Sequence, residues 1–331
     1  MTDTITAVTG ASGHVGANLV RALLAEGRHV RVLVREDTRA LNGLNVEAIH
    51  GDIFDPEALT RLLDGASSLF HFAGRISVVG PEHGLVEKTN VEGVKKVLAA
   101  CRVARVKRLI HCSSIHAFRS FPEDQCIDET RELALDPSGM AYDRSKALGQ
   151  LAVREAAENG LDAVIVNPTA VLGPNDFKPS RMGHVLLDIA GRRLPALVEG
   201  GYNWVDARDV ALGAIAAEKK GRKGECYLLS GTWMHITQLA EIVSRVTGMK
   251  TAKWPTPVWL ALPASYLSLG WGRVVGKTAK FTPSAIRTLQ GHRLISHEKA
   301  TRELGYDPRP IEETVRDTLE WFRQEGGLGS P

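Results

Sequence analysis

The order of elements in this chain predicts an α/β protein, a doubly wound parallel sheet followed by a smaller C-terminal part. Three observations carry that expectation. A short β-branched run, Ile5 to Gly10, feeds a glycine-rich turn with Gly10, Gly13 and Gly16 and then a helical stretch. Apolar runs of strand length alternate with stretches of helical spacing as far as Pro174. Beyond Pro174, prolines and glycines thicken, elements shorten and tryptophan becomes commoner. Such alternation is what a parallel sheet covered on both faces requires.

Each element has its own signal. ITAVTG (Ile5 to Gly10) is the first strand, apolar and β-branched as a buried parallel strand should be. Val15, Leu19, Leu23 and Leu24 recur at helical spacing after it, and Gly27 ends that helix. Residues 29–35 and 45–52 read as the second and third strands. In DPEALTRLLDG, Asp55 stands as N-cap and Pro56 at the first helical position. Residues 67–74 form the fourth strand, 83–104 one long helix, 106–114 the fifth strand and 161–168 the sixth. No internal repeat or low-complexity tract is present.

The chemistry begins at the first turn. Glycines between a strand and a helix let backbone N–H groups approach a pyrophosphate, which then lies at the positive end of the helix. With a second strand following inside the first 35 residues, the context is that of a dinucleotide-binding, Rossmann-type sheet. The expected division is a nucleotide-binding domain over 1–174 and a mainly substrate-binding part over 175–331, some of whose segments return to the sheet. Tyr142 and Lys146 lie four apart in AYDRSKALGQ, on one helix face. An ammonium beside a phenol favours phenolate, which is how a tyrosine becomes a general acid or base. Alone the spacing is common and reads as a solvated helix face; beside a dinucleotide site it reads as catalysis. Ser114 closes the fifth strand, at the edge where such sheets bind ligands. Ser113 takes its place if the register is one residue off, and two serines capping a turn is the plainer alternative.

Five motifs occur in one order: TGASGHVG, HFAG (His71 to Gly74), CSS (Cys112 to Ser114), Tyr142-x-x-x-Lys146 and NPTAVLGP (Asn167 to Pro174). In that order they resemble the extended short-chain dehydrogenase/reductases. The branch they resemble most is the dihydroflavonol-4-reductase-like and 3β-hydroxysteroid dehydrogenase-like one, and ELGYDPRPIEETVRDTLEWF (Glu303 to Phe322) extends the likeness over nearly the whole chain. The resemblance implies an NAD(P)-dependent oxidoreductase, and a homodimer. It implies that Ser114 polarises the substrate oxygen, that Tyr142 exchanges the proton, and that Lys146 holds the cofactor ribose. Asn90, in TNVEG, would support the site through a helix contact; a local hydrogen bond of a polar helix residue explains it nearly as well. The implied cofactor cradle comprises Gly10, Ser12, Gly13, His14, Val15 and Gly16 in the turn. Arg35, Asp52 and Ile53 follow it, then Ala73 and Gly74, Tyr142 and Lys146, and Pro168. Gln150 departs from the family pattern, which often has Glu there.

Cofactor choice turns on the end of the second strand. An NAD enzyme usually has Asp or Glu there for the ribose hydroxyl. This chain has Arg35, 19 residues past Gly16, with Arg39 following. A guanidinium suits a 2′-phosphate, and Arg35 occupies the position of the branch's NADP-binding arginine. NADP(H) is therefore expected. Glu36 and Asp37 beside it keep NAD(H) open.

Composition narrows the remaining classes. The formal charge, 41 minus 38 or +3, gives no argument for nucleic acid. The basic RVARVKR (Arg102 to Arg108) reads as a solvated helix end. Cysteines 101, 112, 126 and 226 form no C-x-x-C, so neither a metal site nor a disulfide framework is expected. Met1-Thr2-Asp3 leads straight into the first strand without a signal peptide, which points to the cytoplasm. Trp254 to Gly276 is the most apolar stretch, broken by Pro255, Pro257, Pro263 and Gly270. It is expected to wall an apolar pocket or pack in the core, with contact to a membrane surface as the other reading. Three function classes stand. The first is NADP(H)-dependent reduction of a carbonyl, or oxidation of a secondary alcohol, on a fairly apolar small molecule. The second is a nucleotide-sugar epimerase or dehydratase recycling bound NAD, with Arg181, Arg192 and Arg193 as diphosphate grips. The third is a non-catalytic NAD(P)-sensing protein, for which an intact Ser114–Tyr142–Lys146 set has no use.

Overall fold

The computed structural model describes residues 4–328 other than 78–79, 195, 250, 252–254, 264, 267–285, 287–288, 290 and 292. Six strands and their crossovers come first: β1 (Ile5–Thr9), β2 (His29–Val34), β3 (Glu47–His50), β4 (Ala66–His71), β5 (Arg108–Cys112) and β6 (Ala163–Pro168). β7 (Ala170–Leu172), β8 (Leu197–Val198) and β9 (Gly201–Asp206) follow, after which the chain returns to the main sheet as β10 (Cys226–Leu229). That sheet is wholly parallel, in the order β10-β6-β5-β4-β1-β2-β3. The order reverses between β1 and β4, which opens a crevice at their carboxyl ends.

Side-chain alternation divides the core into two layers. Leu109 and Ile165 face one side of the sheet and join Leu62, Leu63 and Val97. Ile110, Val164 and Val166 face the other and join Leu19, Leu23 and Ala214. The first layer is covered by α2 (Pro56–Leu63), α4 (Val94–Ala104) and α5 (Ala141–Glu158); the second by α1 (His14–Ala25) and α7 (Ala207–Lys220). Both expected boundaries of the early helices are present. Asp55 caps α2 by accepting from the N–H groups of Glu57 and Ala58 at 2.9 and 3.2 Å, with Pro56 first in the helix. Gly27, at φ +73°, closes the end of α1.

The long helix expected over 83–104 is interrupted. It begins only at α3 (Leu85–Glu87), runs through a π-helical turn (Lys88–Gly93) and continues as α4. Hydrophobic spacing does not reveal one extra residue per turn, whereas packing does. A Cβ at Gly149 of α5 would overlap the Asn90 carbonyl oxygen, so the two backbones touch there. The wide turn leaves Asn90 buried between the two helices.

The smaller part has its own core. A three-stranded sheet, β11-β9-β7, is completed by β11 (Thr232–His235). Against it lie α6 (Arg181–Ala190), α8 (Ile236–Thr247) and the last helix, Ile311–Gln324, around Leu186, Trp204, Leu239 and Leu319. The two parts are laced together beside α1. His14 Nε2 lies 3.0 Å from the Gly173 carbonyl oxygen, Asn18 Nδ2 donates to that of Pro174 at 2.9 Å, and Asn175 Nδ2 donates to Asn18 Oδ1 at 3.0 Å.

Replacing Gly149 with alanine should therefore push α5 off the π turn. The expected cost is about 1–3 kcal/mol, the range for overpacking a tight interface, read as a lower midpoint in thermal denaturation.

Candidate active site

The sequence-selected residues gather along the carboxyl edge of the main sheet. Gly10 follows β1, Arg35 follows β2, Asp52 and Ile53 follow β3, Ala73 and Gly74 follow β4, Ser114 follows β5, and Pro168 ends β6. At Gly10 the backbone has φ +74°, and an added Cβ would lie 2.5 Å from the Ala73 nitrogen. Only glycine permits both. Gly13 precedes α1 as its N-cap and offers no side-chain cap, so the N–H groups of the first turn at His14, Val15 and Gly16 are available to an anion. Ser12 is half-buried in the same turn. These features fit the pyrophosphate of a dinucleotide.

At the neighbouring strand ends the groups are polar and open. Arg35 is 79% exposed and approaches Asp52 at 3.9 Å. Arg39 instead clasps Asp37 with bonds of 2.9 and 2.8 Å, which draws that carboxyl down to about 2. Ile53 is buried against Gly93 of the π turn.

Ser114, Tyr142, Lys146 and Asn90 come together from three elements. Ser114 begins the single 3-10 turn Ile115–Ala117, and its hydroxyl accepts the His116 N–H at 3.2 Å. The phenol of Tyr142, in the first turn of α5, lies close enough to the same hydroxyl to be lowered by it. Ser113 has a buried hydroxyl with no hydrogen-bond partner among the described residues. One turn beyond Tyr142, Lys146 Nζ donates to the Cys112 carbonyl at 3.3 Å and lies against Gly74. Asn90 Oδ1 accepts the Arg75 N–H at 2.8 Å, and its Nδ2 donates to the Arg75 carbonyl and to Ser145 Oγ, both at 2.9 Å. Ser145 in turn donates to the Tyr142 carbonyl at 2.7 Å.

The electrostatics differ from the expectation that Lys146 lowers the phenol. Burial is the largest influence on Tyr142 and pushes it well above the ordinary tyrosine value. The Ser114 hydroxyl and the charge of Arg181 oppose that shift, while Cys112 and Asp143 add to it. Burial likewise holds the Lys146 ammonium below its usual value.

Several neighbours were not selected from sequence. Thr9, His71 and His111 form a buried row across β1, β4 and β5, with Thr9 Oγ1 and His71 Nδ1 2.7 Å apart. The two imidazoles stack at 5.3 Å. Burial drives His71 down to about 3 and His111 well below its ordinary value, so both are neutral near pH 7. The signal was two histidines near the ends of adjacent apolar strands. Arg181, which the sequence did offer as a diphosphate grip, is first in α6, acts electrostatically on both Tyr142 and Tyr202 and has no carboxylate partner among the described residues. Arg193, by contrast, bonds Asp188 at 2.9 Å.

The apolar Trp254 to Gly276 stretch is described only in part; Trp254, Leu267 and Trp271 lie outside the described residues. Leu262 packs with Val198, Ala261 and Ile286, whereas Trp259 is 72% exposed, and Leu260 and Tyr266 are also exposed. Among the described residues no helix is long and apolar enough to cross a membrane, and no cluster of candidate metal ligands occurs.

A model of the NAD dependent epimerase/dehydratase family matches residues 6–230. The chain belongs to that family. It is 35% identical to sterol demethylase protein B of Methylococcus capsulatus, over 97% of this chain and 99% of that protein. It is 31% identical to a putative dihydroflavonol 4-reductase of Synechocystis, over 96% and 94%. The crystal structure of gox2253 superposes with a TM-score of 0.85 at 34% identity, covering 99% of this chain and all of that one. The protein is thus an NAD(P)-dependent enzyme of the extended short-chain dehydrogenase/reductase type.

Raised phenol values make the fold sensitive to alkali. Tyr142 is held above its ordinary value and Tyr202 is pushed up to about 12, burial leading in both. A folded value above the unfolded one, about 10, gives stability that is complete below pH 10 and is lost as pH rises through the folded value. Denaturant midpoints should fall between about pH 10 and 12, and less steeply in Tyr202→Phe.

Proposed function

We propose that this enzyme transfers hydride between NADP(H) and a carbonyl or secondary-alcohol carbon of a small, largely apolar molecule. The observation that carries the reading is the pairing of the Ser114 and Tyr142 hydroxyls, both buried at the carboxyl edge of β5, with Lys146 one helical turn away. A bound nicotinamide supplies or accepts the hydride. In the reducing direction the carbonyl carbon gains that hydride, the Ser114 hydroxyl donates a hydrogen bond to the substrate oxygen, and Tyr142 gives that oxygen its proton. Oxidation of the alcohol runs the same transfers backwards. Lys146, beside Gly74 at the end of β4, holds the ribose. Once a nicotinamide cation lies next to Tyr142, its charge adds to that of Arg181 in favouring phenolate.

Arg35 supports NADP(H). Its guanidinium projects from the end of β2 with only a loose approach to Asp52, while the nearby Asp37 is engaged by Arg39. The relatives whose names speak of a sterol and a dihydroflavonol support a ring-bearing, mostly apolar substrate. The exposed Trp259, Leu260 and Tyr266 offer apolar surface in the smaller part. Arg181 is the observation that favours a nucleotide-sugar epimerase or dehydratase, since a cation near Tyr142 with no carboxylate partner among the described residues suits an anionic substrate group.

The deciding experiment is a titration of the purified protein with NADPH, NADH and a panel of nucleotide sugars. Saturable NADPH binding in preference to NADH, without sugar-nucleotide binding, is expected; the reverse pattern assigns the epimerase chemistry. Tyr142→Phe should lower turnover by about 10²-fold or more while leaving cofactor affinity nearly intact, because only the transferable proton is lost. Arg35→Ala should weaken NADPH by about 1.5–3 kcal/mol, the range for a hydrogen bond to a charged group, and leave NADH almost unchanged.

A further inference from the structure

A second pair of side chains closes around Tyr142. His116 lies two residues beyond Ser114, and its N–H is held by the Ser114 hydroxyl at 3.2 Å. From the first turn of α5, Asp143 accepts a 2.9 Å hydrogen bond from His116 Nδ1. The His116 ring rests against the Tyr142 ring, with centroids 5.3 Å apart and planes at 59°. The contacts thus form a closed circuit: Ser114 to the His116 backbone, His116 to Asp143, Asp143 along the helix to Tyr142, and Tyr142 back to Ser114. Both partners of this hydrogen bond keep only a fifth of their side chains exposed.

We propose that His116 and Asp143 are a positioning pair for Tyr142, the carboxylate orienting the imidazole and the imidazole holding the phenol against the Ser114 hydroxyl. The pair bridges the turn after β5 and the start of α5, the two segments that must stay in register for one substrate oxygen to meet both hydroxyls. Asp143 also sets the electrical surroundings of the phenol. The charged and titratable groups acting there are Cys112 from β5, Asp143 on α5 itself and Arg181 from α6. Lys146 lies one turn further along α5, and His116 faces from the 3-10 turn. Asp143 is a carboxylate acting on the phenol, and it raises the phenol.

This inference rests on Tyr142 being the acid/base group, and the two can fail separately. Steady-state kinetics on a ketone substrate, NADPH affinity and the pH profile of kcat are measured for His116→Ala, His116→Gln and Asp143→Asn beside Tyr142→Phe. His116→Ala and Asp143→Asn should lower kcat by about 10- to 100-fold, the scale for a small misplacement of a reacting group, with NADPH affinity unchanged. His116→Gln, whose amide still donates to Asp143, should recover most of the loss. In Asp143→Asn, removal of a negative neighbour favours phenolate, so the Tyr142-dependent limb of the profile moves to lower pH. Wild-type kcat in His116→Ala, or an unmoved limb in Asp143→Asn, overturns the pair. If His116→Ala does not fold, His116→Gln and Asp143→Asn decide: wild-type kcat and an unmoved limb in Asp143→Asn still overturn it. An active Tyr142→Phe defeats the underlying assignment instead.

Discussion

The contact of two backbones, α5 at Gly149 and the π turn at Asn90, sets how the first turn of α5 sits beside the segment leaving β4. Once the helices touch, the Asn90 side chain can reach both the segment leaving β4, through Arg75, and the first turn of α5, through Ser145. Ser145 then bonds the Tyr142 carbonyl. A single buried amide therefore connects the segment leaving β4 to the helix that carries Tyr142. A larger side chain at 149 would separate what that amide joins.

Burial, rather than charge pairing, governs the electrostatics around this framework. It is the largest influence on Tyr142, Lys146, His71, His111 and Arg181 alike. In each case it favours the neutral form. A site so poor in water magnifies any charge brought into it, because Coulomb interactions grow as the effective dielectric falls. The Lys146 ammonium, one helical turn from the phenol, is turned to a backbone carbonyl.

Much of the frame was legible because it is local. The glycine turn, the Asp55 cap and the strand runs each depend on a few neighbouring residues, and the strand order accords with their alternation. The Ser114–Tyr142 meeting was legible only through the ordered motifs, since nothing in the spacing of residues 114 and 142 brings them together. The π turn at Lys88–Gly93 was not legible at all: the backbone that Asn90 packs against is remote in sequence, at Gly149. The same holds for the fate of the apolar segment near Trp259. Composition marked it as apolar, but only packing shows Leu262 turned to the core and Trp259 outward. His116 and Asp143 escaped because each is an ordinary polar residue until the fold sets them 2.9 Å apart.

The lacing of α1 to residues 173–175 bears on how such an enzyme can be divided. A splice at residue 174 would look natural on the linear chain, at a proline between a strand and a loop. Mechanically it is a poor seam. The amide of Asn18 spans it from both sides, donating to Pro174 and accepting from Asn175, while His14 bonds Gly173. A chimaera that grafted a foreign C-terminal half onto this N-terminal half would inherit those partners only if residues 14 and 18 travelled with the graft. The unit of exchange is thus discontinuous: one turn of the first helix belongs with the C-terminal half.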